Sequence, residues 1–167
     1  SYSVTGVQTC ALPICYDNTF PEVHRIYALK GTDLILSPYA YGQKFDPKQP
    51  ETVKKSILDW KTNEKKFLQA AAAANYQWIV AVVGGGHVKD YIAESQPGKG
   101  QEYFFPGVIL FIDPSGKVVL ESPDDIIEER LLSYNISRIT NMEQRRSKYN
   151  HFKDRRTAIY GRITELP

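Results

Sequence analysis

"ICYDNTFPEVHRIYALKGTDLILSPYA" runs from Ile14 to Ala40 and decides how the rest of the chain is read. Thr19-Phe20-Pro21-Glu22 has capping-box spacing, with Thr19 at the cap and Glu22 three residues on. Proline costs little in a first helical turn, where its missing N–H would find no partner anyway. Val23, Ile26, Tyr27 and Lys30 carry a short helix onward, and Gly31 is a natural stop. Leu34-Ile35-Leu36 then reads as a buried strand, ended by Ser37-Pro38. In this reading Cys15 lies just before a helix N-terminus, where backbone N–H groups and the helix dipole favour a thiolate. A thiolate is the form that attacks a carbonyl or nitrile carbon, and the next backbone N–H, from Tyr16, is placed to help hold an oxyanion.

Working outward, Gly42 to Pro50 is a polar loop, and helical pattern resumes near Thr52 with Val53, Ile57 and Trp60. It continues through Phe67, Leu68, Ala71, Ala72 and Tyr76, and the run Ala70–Ala74 permits close helix packing. Trp78 to Val83 is almost free of polar residues, as expected of a strand covered on both faces. Gly84 to Gln101 is Gly-rich and reads as a loop or lid. Tyr103–Ile112 and Lys117–Glu121 flank Asp113-Pro114-Ser115-Gly116, a hairpin turn signal. Residues 129–136 alternate as in another strand, a polar helix is expected from about Ser137 to Asn150, and the tail from His151 to Pro167 is basic and irregular. Helices and strands alternate first and strands dominate later, which is the pattern of a layered α/β or α+β domain.

Length and composition bound the function. At 167 residues the chain is one domain by the usual size argument, and its 42% hydrophobic and 24% charged content is ordinary for a globular protein. The net charge of +2 selects no partner class, and no apolar run approaches the roughly 18 residues of a membrane span. Without a basic, then apolar, leader pattern the expected location is cytoplasmic. Cys10 and Cys15 form a C-x4-C pair with no second Cys/His cluster, so a zinc site is not indicated.

Val4 to Ile14 reads V-T-G-V-Q-T-C-A-L-P-I, and all eleven residues match one translated frame of a common sequencing adapter. The expectation is that residues 1–14 are adapter-derived and that residues 15–167 are the C-terminal part of a larger hydrolase domain. Cys10 then carries no redox or metal argument. The adapter's last base falls in the codon of Cys15, which leaves Cys, Ser, Arg or Gly open there on this ground alone.

The segment from Ile14 to Ala40 resembles the nucleophile region of the nitrilase superfamily of carbon–nitrogen hydrolases, with its C-Y-D-x-x-F-P-E motif, Arg-bearing helix, Gly, apolar strand and Pro. Three more segments are similar to that family in the same order: "FLQAAAAANYQWIVAVVG", "FFPGVILFIDPSGKVVLES" and "FKDRRTAIYG". The resemblance covers nearly everything from Cys15 to about Gly161 and selects Cys among the four codon options. It implies an αββα sandwich, here an incomplete C-terminal portion, and hydrolysis of an amide or carbamoyl group through a cysteine thiolate and an acyl-enzyme. Cys15 would be the nucleophile, the Tyr16 N–H an oxyanion donor, and Tyr39 with Ala40 part of the substrate pocket. The family's general-base Glu and its Lys lie upstream of the Cys, so Glu22, Glu51, Glu94 and Lys30 are not promoted to those roles, and the chain by itself is expected to be inactive and to expose apolar surface. The resemblance implies no metal or organic cofactor, a small-molecule substrate and a homo-oligomer, with no nucleic acid or membrane partner.

Plainer readings stand beside these. Tyr39 and Tyr41 serve packing as readily as a pocket. Gly84-Gly85-Gly86 is not a dinucleotide motif. His87 reads as a solvated loop residue, and Glu22 with Arg25 as an i,i+3 surface pair. Asn135-Ile136-Ser137 matches a glycosylation sequon but is discounted at a strand end. Residues 141–167 hold seven Lys/Arg against three Asp/Glu, a basic tail that the resemblance assigns to subunit packing rather than nucleic acid. The alternatives for function are a nitrilase acting on a nitrile and a noncatalytic nitrilase-like binding or assembly module.

Overall fold

The computed structural model describes residues 10–44, 46, 48–91, 100–123, 131–137, 143 and 150–164. Its main sheet has five strands in the order β1 (Cys10–Ala11), β2 (Leu34–Tyr39), β4 (Trp78–Val83), β7 (Ile109–Ile112) and β8 (Val118–Glu121). β1, β2 and β4 run parallel, while β7 and β8 add as antiparallel strands. A smaller sheet joins β3 (Gln43–Lys44), β6 (Gln101–Pro106) and β5 (Gly85–Tyr91). The helices are α1 (Pro21–Leu29) and the long α2 (Pro50–Asn75).

Alternation along the strands decides where the core lies. Ile35, Ser37 and Tyr39 of β2, Ile79, Ala81 and Val83 of β4, and Leu110 and Ile112 of β7 form one buried face. All but Ser37 belong to one hydrophobic core with Val53, Ile57, Leu68 and Ala72 of α2. These four are spaced by four and eleven residues, a stripe down one side of a 3.6-residue helix. The opposite face is more open: Leu36 is 38% and Val82 43% exposed. The expectation that β4 is covered on both faces therefore does not hold.

Several local readings survive and several do not. α1 stops at Gly31, which takes φ +90°, and α2 stops at Tyr76, a left-handed residue with φ 53°. The capping box is not formed: Phe20 is the cap, and the Thr19 hydroxyl donates instead to the Tyr16 carbonyl at 2.8 Å. β2 runs through Pro38 to Tyr39, because β1 reaches only Ile35 and a proline is tolerated on the unpaired side of a strand.

The Gly-rich segment is not a loop throughout. Residues 85–91 form β5, paired antiparallel with β6. The single strand expected over 103–112 is divided, with β6 in the small sheet and β7 in the main one. Gly84 and Gly107 make the bend in register: the Gly107 N–H donates to the Gly84 carbonyl at 3.0 Å, and Gly107 takes φ +62°. β4–β5 and β6–β7 are thus two arms of one bent antiparallel ribbon.

The Asp113–Gly116 turn joins β7 and β8 as expected, with Asp113 Oδ1 accepting from the N–H groups of Ser115 and Lys117. Residues 131–137 form no strand. They are a mostly exposed segment without regular structure, tied by the Trp78 indole N–H donating to the Ser137 carbonyl at 3.0 Å. The polar helix expected from Ser137 to Asn150 lies almost entirely outside the described residues.

Candidate active site

Cys15 opens a five-residue 3-10 turn, Cys15–Thr19, between β1 and α1. It is one of two non-glycine residues with positive φ among the described residues, at 48°. A left-handed β-carbon-bearing residue costs about 1–3 kcal/mol and persists only where its surroundings impose it. Here Asn18 imposes it. Its Nδ2 donates to the carbonyls of Pro13 at 3.2 Å and Cys15 at 3.1 Å, while its Oδ1 accepts from Ser37 Oγ at 2.7 Å. Ser37 sits on β2, so the turn is fastened to the sheet. Fully buried His24 fixes the Asn18 main chain, Nε2–H donating to its carbonyl at 3.2 Å. Burial lowers the His24 pKa, against a smaller opposing effect of that hydrogen bond.

Cys15 does not stand at the N-terminus of α1, as the sequence suggested; the 3-10 turn intervenes. The Tyr16 N–H, expected as an oxyanion donor, lies within that turn. Its ladder begins with Asp17 N–H to the Ile14 carbonyl at 3.0 Å, so the Tyr16 N–H precedes the first bond of the turn. The Tyr16 ring lies outside, 71% exposed and packed edge-on against Phe20.

Cys15, Tyr16, Tyr39 and Ala40 all line one cleft of about 340 Å³. The residues expected to form the site are therefore brought together. The cleft lies beyond the C-terminal end of β2, the usual place for a site in a parallel sheet. Thr19, Tyr41, Gly42, Trp60 and Glu64 complete it. The Tyr39 hydroxyl donates to Glu64 Oε2 at 3.1 Å, and Trp60 packs edge-on against Tyr39 and stacks on Tyr41. Burial, then the adjacent Glu64 charge, pushes the Tyr39 pKa upward; the nearby Cys15 contributes in the same direction. Burial likewise raises Glu64, with the Tyr39 hydrogen bond opposing.

Trp60 and Glu64 were missed as site residues. The available signal was a carboxylate at position 64 on the apolar line Val53, Ile57, Leu68 of α2, a position that normally takes an aliphatic side chain. Asn18 and Ser37 carried no signal.

Other candidates lie elsewhere. Glu22 and Glu51 are exposed in the first turns of α1 and α2, Lys30 caps α1, and Glu94 is outside the described residues. Arg25 does not pair with Glu22; its Nη2 donates to the Ala74 carbonyl at 3.0 Å and its guanidinium lies over Phe152. His87 is a strand residue, 3.5 Å from Glu102. Among the described residues no group of three or more His, Cys, Asp or Glu is arranged to hold a metal ion, and no helix is long and apolar enough to cross a membrane.

The carbon–nitrogen hydrolase family model matches residues 3–144. The chain belongs to the carbon–nitrogen hydrolase family. N-carbamoylputrescine amidase of Arabidopsis thaliana is 26% identical over 147 residues, which are 88% of this chain and 44% of that protein. Citrullinase of Francisella tularensis is 29% identical over 153 residues, 90% of this chain and 46% of that protein. This family member thus spans somewhat less than half the length of either curated relative. The crystal structure of a carbon–nitrogen hydrolase from Helicobacter pylori G27 superposes with a TM-score of 0.72 at 24% identity, over 96% of this chain and 50% of that one. The layered α/β fold is therefore that of the nitrilase superfamily, with α1, α2 and the main sheet as the layers described here.

Proposed function

We propose that this chain carries the nucleophile half of a hydrolase that cleaves a non-peptide carbon–nitrogen bond in a small amide or carbamoyl compound. The observation that carries the proposal is Cys15, held left-handed in a fastened turn and opening into a cleft. In the reaction the Cys15 sulfur bonds to the carbonyl carbon, the negative charge on oxygen is met by the Tyr16 N–H, and the C–N bond breaks as the amine departs with a proton. Water then cleaves the thioester and returns the thiol. Within the described residues the cleft supplies the thiol and one hydrogen-bonded carboxylate, and the general base and lysine of the family are assigned to sequence upstream of Cys15.

The relatives named for carbamoyl compounds favour a carbamoyl or amide substrate over a nitrile. A homo-oligomer is proposed on the exposed Ile26, Leu29 and Phe67 of α1 and α2. The test is ammonia release from simple ureido, amide and nitrile compounds by the product of the complete gene. Release from the ureido or amide compounds, abolished by Cys15→Ala, is the expected result. Release from nitriles alone would replace the substrate class, and activity indifferent to Cys15→Ala would overturn the proposal.

A further inference from the structure

The cleft beside Cys15 holds a side chain that the acyl-transfer chemistry does not use. Glu64 is only 9% exposed, yet it lines the cleft. Its partner is a neutral hydroxyl, that of Tyr39. The lysines around it are committed elsewhere: Lys61 donates to the Ser122 carbonyl at 2.7 Å, and Lys65 pairs with Glu121. Burial raises the Glu64 pKa, the mark of a carboxylate whose charge is incompletely compensated.

The walls next to it are aromatic. Tyr41 and Trp60 stack with centroids 5.0 Å apart and planes at 11°, and Tyr39 meets Trp60 edge-on at 5.3 Å. A buried carboxylate attracts a cation strongly because little water screens it, and aromatic faces add a cation–π attraction. An anionic group would meet repulsion here, and a purely apolar one would leave the carboxylate desolvated without gain.

We propose that Glu64, with the Tyr41–Trp60 stack, is a specificity site that receives a positively charged end, such as an alkylammonium, of the molecule whose carbonyl faces Cys15. This rests on Cys15 opening into the cleft as the reactive thiol. No chemical step is added; the site orients a charged substrate and rejects an anionic one.

The experiment needs no turnover. The chain is treated separately with three methanethiosulfonates of similar size, bearing aminoethyl (cationic), ethyl (neutral) or sulfonatoethyl (anionic) groups. Modification rates at Cys15 and at exposed Cys10 are read by peptide mass spectrometry, so that Cys10 supplies each reagent's reference rate. The expected result is a cationic-over-neutral ratio at Cys15 about tenfold above that at Cys10, with the anionic reagent disfavoured. Glu64→Gln should bring the ratio down toward the Cys10 value. Equal ratios at the two cysteines in the unmodified chain, or a ratio untouched by Glu64→Gln in a variant with unchanged circular dichroism, would overturn the proposal. If Cys15 resists all three reagents, the reading of Cys15 as the reactive thiol fails instead, and this proposal falls with it.

Discussion

The Tyr39 hydroxyl donates to the Glu64 carboxylate at 3.1 Å across the gap between β2 and α2, within the cleft that holds Cys15. The bond links β2 to α2, the helix that covers the core. It also sets a pH dependence. Glu64 is raised above its ordinary value of 4.5 in the fold, so the folded chain holds this proton to higher pH than the unfolded chain does. By linkage that contribution to stability is fully present below the unfolded pKa and is lost as pH rises through the folded one. Chemical denaturation of the chain and of Glu64→Gln at a series of pH values should show the wild type losing stability relative to the variant from about pH 4.5 upward. A difference independent of pH would contradict the assignment.

Tyr39→Phe tests the same bond from the other side. It removes the hydrogen bond that opposes the burial effect on Glu64, so the Glu64 pKa should rise further. The loss in stability at neutral pH should be about 1–3 kcal/mol, because a buried carboxylate is left without its donor. Carboxyl NMR titration and urea denaturation together check both parts.

Asn18 governs how Cys15 is presented. Asn18→Ala leaves two carbonyls and the Ser37 hydroxyl without this partner. A cost of about 2–3 kcal/mol is expected, with slower iodoacetamide alkylation at Cys15 and unchanged alkylation at Cys10. Asn18→Asp keeps the acceptor for Ser37 but loses both donations, so it should behave like Asn18→Ala toward the thiol. Fast alkylation of Cys15 in both variants would show that the turn holds without Asn18.

How much of this could be read from the sequence depends on how local each signal is. Gly31, the Trp78–Val83 strand and the Asp113–Gly116 turn were legible because each depends on a few adjacent residues. That Cys15, Tyr39 and Ala40 would meet at one cleft was legible through the resemblance of their segment, since all three lie close together in the chain on either side of α1. The β5–β6 ribbon was hidden because its glycines mimic a loop, and its pairing is visible only when Gly84 meets Gly107 across the bend. The Asn18 clamp was hidden because it joins Pro13, Cys15 and Ser37, whose meeting depends on β2 lying beside the turn. The alternation in 131–136 misled because that segment lies on Trp78 and Phe111 through Tyr134 instead of pairing in a sheet.

Gly116 is a second place where backbone and packing meet. It holds φ +86°, and a β-carbon there would stand 2.7 Å from the Gln69 carbonyl oxygen on α2. Gln69 Nε2 also donates to the Gly116 carbonyl at 2.8 Å, docking the turn on the helix. Gly116→Ala therefore meets both a dihedral penalty and a clash with backbone that has no free rotation. A loss of about 2–4 kcal/mol is expected by thermal or urea unfolding. A loss below about 1 kcal/mol would mean that the turn is not seated as described.

The open face of the main sheet leads to a prediction about solubility. Leu36 of β2 and Val82 of β4 are more than a third exposed on the side away from α2, and Val80 and Phe111 lie half-buried beside them. An apolar sheet face in water favours self-association, since each covered Å² of apolar surface contributes roughly 25 cal/mol. Light scattering of the isolated chain should therefore show aggregation that grows with concentration. Val82→Lys together with Leu36→Lys should reduce it, because neither side chain belongs to the buried face. Ile79→Lys, on the buried face, should instead unfold the chain. A wild-type chain that stays monomeric across the concentration series would show that this face does not drive association.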